Sequence, residues 1–126
     1  MAVSGDFAAV AAVLVTYFDG LHFSDTRRLA QVFHPMAQYV CATDGTLLHR
    51  DMAEYFPVVD ARPSPASRGE TRADEIVSIE FAGPVTARAV VRCRIGARDF
   101  VDYLTLIRLE DRWQVISKVF HYEEDR

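Results

Sequence analysis

The only lysine of the chain, Lys118, lies in the apolar segment WQVISKVF, and Asp102 lies in the similar segment FVDYLTLIRL. A charged group inside an apolar strand is costly unless an opposite charge neutralises it. We therefore hypothesise that Lys118 and Asp102 form a partly buried ion pair beside a pocket, where both contact a ligand or Asp102 acts as a base. The alternatives are a purely structural ion pair and a lysine whose ammonium reaches solvent at the edge of the sheet.

Aromatic residues and one histidine are further candidates for the same pocket. Tyr17 lies in a predicted buried helix, so its hydroxyl is either a donor to a ligand or bonded to a backbone carbonyl in the core. His34 is either an acid or base in the pocket, a role for which histidine is well suited, or a residue whose ring donates hydrogen bonds to backbone carbonyls at a helix end. Tyr55 and Phe56 either line the mouth of the pocket or pack in the core.

The cysteines and remaining histidines show no metal-binding pattern. Cys41 and Cys93 have neither metal nor redox spacing, and His22, His49 and His121 form no pair at ligand spacing. We expect no metal, no other cofactor, and two reduced thiols rather than a disulfide, as is typical of the cytoplasm. Nucleophilic catalysis by a cysteine would require a positioned base, which the sequence does not identify.

Strand register decides whether the charged residues share a face. A two-residue type II′ turn at 96–97 places Asp102 opposite Val91, on the face that carries small apolar residues. A three-residue loop at 109–111 then places Lys118 opposite Asp102, whereas a two-residue loop would break that match. The apolar residues predicted to share this face are Phe100, Leu104, Ile116 and Phe120.

The helices and strands that position these residues are predicted from the spacing of apolar residues and from the positions of glycine and proline. A first helix is predicted from Phe7, with its end loosened at Gly20, and a second is predicted to end at Pro35. A third helix is predicted after Asp51 and contains Pro57. Later strands are predicted in the segments 75–81, 85–95, 100–109 and 113–122. Helices followed by a run of strands indicate an α+β domain.

An additional hairpin is predicted early in the chain. The segments 37–43 and 47–50 have strand character, and Asp44-Gly45 between them is typical of a type I′ turn. The segment 62–69, rich in proline and serine, is predicted to be a surface loop.

Composition limits the classes of partner. The chain has 126 residues, which is the size of one domain, and its net charge of −4 with scattered arginines argues against nucleic acid. The longest apolar run, 7–18, is too short to span a membrane and lacks the flanks of a signal peptide. We therefore expect a cytoplasmic protein that binds neither nucleic acid nor membrane.

Three segments together resemble the nuclear-transport-factor-2-like (NTF2-like) superfamily: VTYFDGLHFSD, LAQVFHPMAQYV and FVDYLTLIRLEDRWQVISKVF. They are most similar to its bacterial members described as putative lumazine-binding, near the polyketide-cyclase-like branch, over about residues 6–122. The resemblance implies one domain over 1–126, in which a cone-shaped, curved antiparallel sheet wraps three N-terminal helices, the cystatin-like α+β barrel. It also implies a pocket at the open end and a homodimer through the outer sheet face.

Ketosteroid isomerase belongs to the same superfamily, so its site can be compared with this sequence. By that resemblance Tyr17 matches the oxyanion-binding tyrosine, and the second oxyanion group falls near Thr105 or Asp102. The general base falls at Cys41, and a buried thiol is only weakly acidic. The resemblance thus gives the chain at most part of that constellation, and we do not expect isomerisation by the same mechanism.

We therefore expect a protein that binds a small, partly apolar organic ligand in a hydrophobic cone. The alternatives are a dehydratase, isomerase or cyclase that uses Asp102 or His34 as base and Tyr17 as donor, and an interaction domain whose pocket is collapsed. The expected ligand-binding residues are Tyr17, Cys41, Tyr55, Phe56, Phe100, Asp102, Leu104, Ile116, Lys118 and Phe120.

Overall fold

The computed structural model describes residues 4–125, within which three α-helices pack against six β-strands. The helices are α1 Ser4–His22, α2 Thr26–Val32 and α3 Met52–Ala61. The strands are β1 Phe33–Cys41, β2 Leu48–Arg50, β3 Asp74–Phe81, β4 Thr86–Ile95, β5 Arg98–Leu109 and β6 Arg112–Glu124. The segment 62–69 is a loop with one short 3₁₀ turn, Ala66–Arg68.

Helix α1 begins earlier than predicted and is not loosened at Gly20. It begins at Ser4 rather than Phe7, so Asp6 lies in its first turn, where a carboxylate complements the helix dipole. It also continues past Gly20 to His22. Gly20 is the position where α2 approaches α1, because a Cβ there would lie 2.6 Å from Cδ2 of Leu29. The glycine permits close helix packing and does not loosen the helix end.

The N-termini of the other two helices are capped by aspartates. Asp25 accepts hydrogen bonds from two backbone amides of α2, and Asp51 forms a capping box with Glu54 at the start of α3. Pro57 lies inside α3 without ending it. Helix α2 ends at Val32, earlier than predicted, and Pro35 lies in strand β1, where its fixed φ is tolerated.

The strands form one sheet in the order β2-β1-β6-β5-β4-β3. The predicted run β3 to β6 is an antiparallel meander, but β1 pairs with β6 in parallel. Helix α1 contacts both β3 and β6, although two strands separate them in the sheet. The sheet therefore curves around the helix and encloses the core on its concave face.

The early hairpin does not use the predicted type I′ turn. Of Asp44 and Gly45, Gly45 alone has a positive φ, at 90°. The amide of Gly45 donates to the carbonyl of Ala42, and the carboxylate of Asp44 accepts from the amide of Thr46. The connection is a longer loop whose bend Asp44 supports with its own side chain.

The β5–β6 turn is shorter than predicted, with only Glu110 and Asp111 between the strands. Both have positive φ, at 51° and 60°, which defines a type I′ turn. The preference for a three-residue loop was therefore wrong. The register of the β4–β5 hairpin is as predicted, since Val91 lies opposite Asp102.

A β-bulge at Ile116 corrects the alternation that the short turn would otherwise shift. Leu106 pairs with Val115, and Thr105 pairs with Ser117, so Ile116 is the extra residue in β6. Beyond the bulge Lys118 lies opposite Leu104, and Asp102 lies opposite Phe120. Lys118 and Asp102 thus share the concave face as diagonal neighbours rather than as the directly opposed pair that we predicted.

We predict that Asp111→Gly raises the free energy of unfolding by about 0.5–1 kcal/mol, because glycine adopts positive φ without steric cost. Urea denaturation measures the change. Asp111→Ala is the control, since it removes the same exposed carboxylate but keeps a Cβ at positive φ. Equal stabilisation by both variants would show that the carboxylate, and not the backbone, is responsible.

Candidate functional site

Tyr17, Asp102 and Lys118 meet inside the cone and are termed here the polar cluster. Their exposed fractions are 0%, 0% and 4%. The hydroxyl of Tyr17 donates to Oδ2 of Asp102 at 2.5 Å, and Nζ of Lys118 lies 3.9 Å from the same oxygen. The two charges are thus more deeply buried than the partly buried pair that we hypothesised.

Each member of the polar cluster comes from a different element. Tyr17 lies on the face of α1 that also buries Val10 and Leu14, at helical spacing. Asp102 points inward from β5, and Lys118 points inward from β6 because of the bulge that precedes it. The cluster therefore depends on the packing of α1 and on the register of the last hairpin.

Four aromatic rings surround the ammonium of Lys118 and are termed here the aromatic cage. The distances from Nζ to the ring centroids are 5.2 Å for Tyr17, 5.2 Å for Tyr39, 5.8 Å for Tyr55 and 5.0 Å for Phe120. A cation over an aromatic face is stabilised by the ring quadrupole, and the effect grows when water is excluded. The cage partly replaces the hydration that burial removes from Lys118.

Tyr39 is the member of the aromatic cage that the sequence prediction missed. It lies beside Lys118 because β1 pairs in parallel with β6, and its ring stacks on Tyr55 at 4.3 Å. Alternation along β1, where Ala37, Tyr39 and Cys41 are all buried, is a signal that could have placed it inward. The pairing of β1 with β6 has no comparable signal in the sequence.

The polar cluster has hydrogen-bonding groups that are not fully satisfied. Oδ1 of Asp102 is buried and has no hydrogen-bond partner. The contact of 3.9 Å between Lys118 and Asp102 is longer than a hydrogen bond. Buried polar atoms without partners are costly and uncommon. The cluster can therefore accept a hydrogen bond at Asp102 and donate hydrogen bonds from Lys118.

The electrostatics of the cluster fix the protonation of two of its members. Burial is the largest influence on the pKa of Lys118 and lowers it, but the attractions of Asp102, Tyr55, Tyr39 and Cys93 together outweigh burial, and the pKa is raised. Burial, followed by the negative charge of Asp102, raises the pKa of Tyr17. At neutral pH the lysine is therefore a cation, which makes it a poor nucleophile, and the tyrosine is a neutral donor.

Both cysteines are buried free thiols. Burial, followed by the charge of Asp102, raises the pKa of Cys93 to about 12, so its unreactive thiol form prevails at neutral pH. The thiol of Cys41 donates a hydrogen bond to the hydroxyl oxygen of Thr43, with the sulfur 3.3 Å from that oxygen. Within residues 4–125, no group of three or more His, Cys, Asp or Glu side chains is arranged to hold a metal ion.

Two predicted site residues lie away from the polar cluster. His34 is the second residue of β1 rather than the end of a helix, and its Nδ1 accepts a hydrogen bond from the amide of Met36 at 3.0 Å. Ile116 is the bulge residue, half-buried and outside the hydrophobic core, so its predicted inward orientation was wrong. Both errors come from local backbone geometry that periodicity does not reveal.

The other predicted ligand-binding residues lie on the concave side. Tyr55, Leu104, Phe120 and Cys41 belong to the buried core. Phe56 and Phe100 are half-buried and pack against the edge of that core.

The main clefts of the described residues do not reach the polar cluster. One, of about 570 Å³, is lined by residues of α1, α2 and the β5–β6 hairpin, including Ala12, Gln31 and Trp113. Another, about 390 Å³, lies on the convex face at Tyr103 and Val119. Lys118 is buried, and its ammonium lies among the four rings of the aromatic cage, so it is shielded from solvent.

The curved sheet around three helices defines an NTF2-like protein, a class whose fold is also described as cystatin-like. Within that class, the family model described as "Putative lumazine-binding" matches residues 5–121, and the chain belongs to this family. No helix within residues 4–125 is long and apolar enough to cross a membrane.

One known protein resembles this chain in sequence, and two solved structures resemble it in fold, all at low sequence identity. The aldolase FrzH of a Cladobotryum species is 24% identical over 120 residues, which cover 94% of this chain and 92% of FrzH. An NTF2-like protein of unknown function from Shewanella baltica OS155 has a TM-score of 0.86 at 24% identity, over 99% of both chains. One from Silicibacter pomeroyi DSS-3 has a TM-score of 0.84 at 26% identity, over 98% of this chain and 100% of that chain.

We predict that the free energy of unfolding falls as the pH rises above about 9, the ordinary pKa of cysteine. Cys93, Tyr17 and Lys118 have raised pKa values in the fold and so keep protons that the unfolded chain releases. Their stabilising contribution is complete below their unfolded pKa values and is lost as the pH rises. The loss is at most about 1.4 kcal/mol per pH unit for each group.

Urea denaturation at pH 8, 9 and 10 measures this dependence. Cys93→Ala is the comparison variant, and its stability should fall less between pH 9 and pH 10 than that of the unmodified chain. Equal stability of the unmodified chain at pH 8 and pH 10 would contradict the prediction.

Proposed function

We propose that the chain binds a small, partly apolar organic molecule inside the cone, with the polar cluster as its polar contacts. The observation that carries this proposal is the buried Asp102–Lys118 pair, whose Oδ1 atom lacks any hydrogen-bond partner. A purely structural ion pair is stable only when its remaining polar atoms are satisfied. Sites for small organic molecules combine apolar walls with a few convergent polar groups, and the aromatic cage supplies such walls.

The ligand contacts follow from the positions of the concave residues. Leu104, Phe120 and the cage tyrosines give apolar contact near Lys118, and Cys41 extends that surface beside Phe120. Phe56 and Phe100 border the entrance, since both are half-buried at the edge of the core. A ligand reaches Lys118 only when rings at this edge rotate away, so binding is coupled to a side-chain rearrangement.

A second candidate is an enzyme that uses acid–base chemistry at the same site, of the dehydratase, isomerase or cyclase kind. The hydrogen bond from Tyr17 to Asp102 favours it, as does the relative that is named an aldolase. In such an enzyme Asp102 is the base, while neutral Tyr17 and cationic Lys118 stabilise negative charge on a substrate oxygen. Loss of turnover in Asp102→Asn with ligand binding retained would distinguish the enzyme from a binding protein.

Native mass spectrometry of the protein purified from its own source tests the binding proposal. We expect an added mass that disappears on denaturation, and we expect Lys118→Met to lose most of it. Arg88→Met is the matched control, because Arg88 is an exposed cation paired with Glu80 on the convex face. Circular dichroism in the near ultraviolet checks that each variant is folded.

Two outcomes would contradict the binding proposal. One is the absence of any added mass in the unmodified protein. The other is equal occupancy in Lys118→Met and in the unmodified protein.

We also propose that the chain forms a homodimer through the convex face, in a reducing compartment such as the cytoplasm. Tyr103 and Val119 are paired neighbours on that face and are 64% and 48% exposed. Both line the convex cleft of about 390 Å³. Exposed apolar surface of this kind marks interaction sites. The two free thiols support the choice of compartment.

We predict a dimer in analytical ultracentrifugation and a monomer for Tyr103→Asp, because a charge at the centre of an apolar interface opposes association. Leu47→Asp is the control, since Leu47 is also a large exposed hydrophobic residue, at 74%, but lies in the loop before β2. A monomeric unmodified chain, or a dimer that persists in Tyr103→Asp, would contradict this interface.

A further inference from the structure

Three successive residue pairs on the concave side of β5 and β6 lie between the polar cluster and solvent. The pairs are Asp102 with Phe120, Phe100 with Tyr122, and Arg98 with Glu124. They share the concave side because alternate residues of a strand point to the same face. The first pair is buried, the second is half-buried and the third is exposed. Burial therefore decreases stepwise along this hairpin, from the polar cluster outward.

Ring contacts connect the first two pairs to the ammonium of Lys118. The centroid of the Phe120 ring lies 5.0 Å from Nζ of Lys118 and 5.9 Å from the centroid of the Phe100 ring. The ring of Tyr122 packs on the other side of this series, with its centroid 5.8 Å from that of Phe100. These are the separations of packed aromatic rings. Phe100 and Tyr122 therefore close the path from solvent to Lys118 along the hairpin.

Arg98 covers the ring of Tyr122. Its guanidinium carbon lies 4.3 Å from the ring centroid, which is the shortest cation–ring distance within residues 4–125. Its Nε atom lies 3.5 Å from Oε1 of Glu124, which keeps the guanidinium over the ring. A cation over an aromatic face is attracted to the ring. The contact therefore opposes rotation of Tyr122 away from Phe100.

A cleft of about 540 Å³ ends at the same place. It is lined mainly by residues of β3, β4 and β5, among them Cys93 and Phe100. Cys93 lies opposite Phe100, and Asp102 is the next residue of β5 on the concave side. The volume is that of a site for a small organic molecule. Only the layer formed by Cys93 and Phe100 separates this cleft from the polar cluster along β5.

We propose that this cleft is the vestibule from which a molecule enters the cone, that the rings of Phe100 and Tyr122 form its gate, and that Arg98 keeps the gate closed. The inference rests on the proposed function, because it names the route to that binding site and the residue that controls the route. When Tyr122 turns away, Phe100 loses the ring that holds it and the cleft opens toward Asp102. Arg98 thus sets the rate of binding and is not itself a contact of the bound molecule.

Cys93 reports on the gate, because its thiol is buried and lies opposite Phe100. Iodoacetamide, a small neutral reagent, alkylates this thiol only when it becomes accessible, and peptide mass spectrometry measures the rate at a fixed pH. We expect Arg98→Gln to raise the rate about two- to fivefold, which is the range for loss of a cation–ring contact at an exposed site. Arg88→Gln is the matched control and should leave the rate unchanged, since Arg88 is an exposed cation paired with Glu80.

A second variant tests whether Arg98 acts through Tyr122. Tyr122→Leu removes the aromatic face but keeps an apolar side chain, and we expect it to accelerate alkylation of Cys93 by itself. Arg98→Gln should then have no further effect in the Tyr122→Leu background, because the effects of residues in contact are not additive. Adding urea up to about 1 M should change the rate only slightly, since local opening exposes little surface.

Three results would overturn the gate. One is an unchanged alkylation rate in Arg98→Gln, or an equal acceleration in Arg88→Gln. Another is an additive effect of Arg98→Gln and Tyr122→Leu. The third is a rate that rises steeply with urea, because Cys93 would then react only in the globally unfolded chain. None of these results affects whether a molecule is retained in native mass spectrometry, so the proposed function stands or fails separately.

Discussion

The buried pair of Asp102 and Lys118 is the constraint on which the rest of the interior depends. Two charges without water are stable only where other groups replace the lost solvation. Tyr17 does so for the carboxylate through a hydrogen bond of 2.5 Å, and four aromatic rings do so for the ammonium. The replacing groups come from α1, α3, β1 and β6, so the pair ties the helices to the sheet.

The β5–β6 hairpin shows how a small irregularity preserves this arrangement. A type I′ turn suits the twist of the two strands, but by itself it places the late residues of β6 on the wrong face. The extra residue at Ile116 moves Lys118 back to the concave side and bends the strand. The turn and the bulge are therefore complementary, and neither alone would bring Lys118 to Asp102.

Much of the fold, but less of the site, could be predicted from the sequence. Periodicity and capping residues place the helices and the meander, and the glycine turn at 96–97 places Asp102 opposite Val91. The sequence does not predict the parallel pairing of β1 with β6, because that contact joins distant segments without a local signal. The contact of Tyr39 with Lys118 was missed for this reason. His34 was misplaced because α2 ends before it, and Ile116 was misplaced because the bulge changes which face its side chain occupies.

The single lysine has a consequence for chemical labelling. Lys118 carries the only side-chain amine of the chain, and that amine is shielded by aromatic rings. Acylating reagents, cross-linkers and enzymes that modify lysine all need an accessible, uncharged amine. At a fixed pH, the rate at which Lys118 is acylated therefore reports how often the interior of the cone opens to solvent.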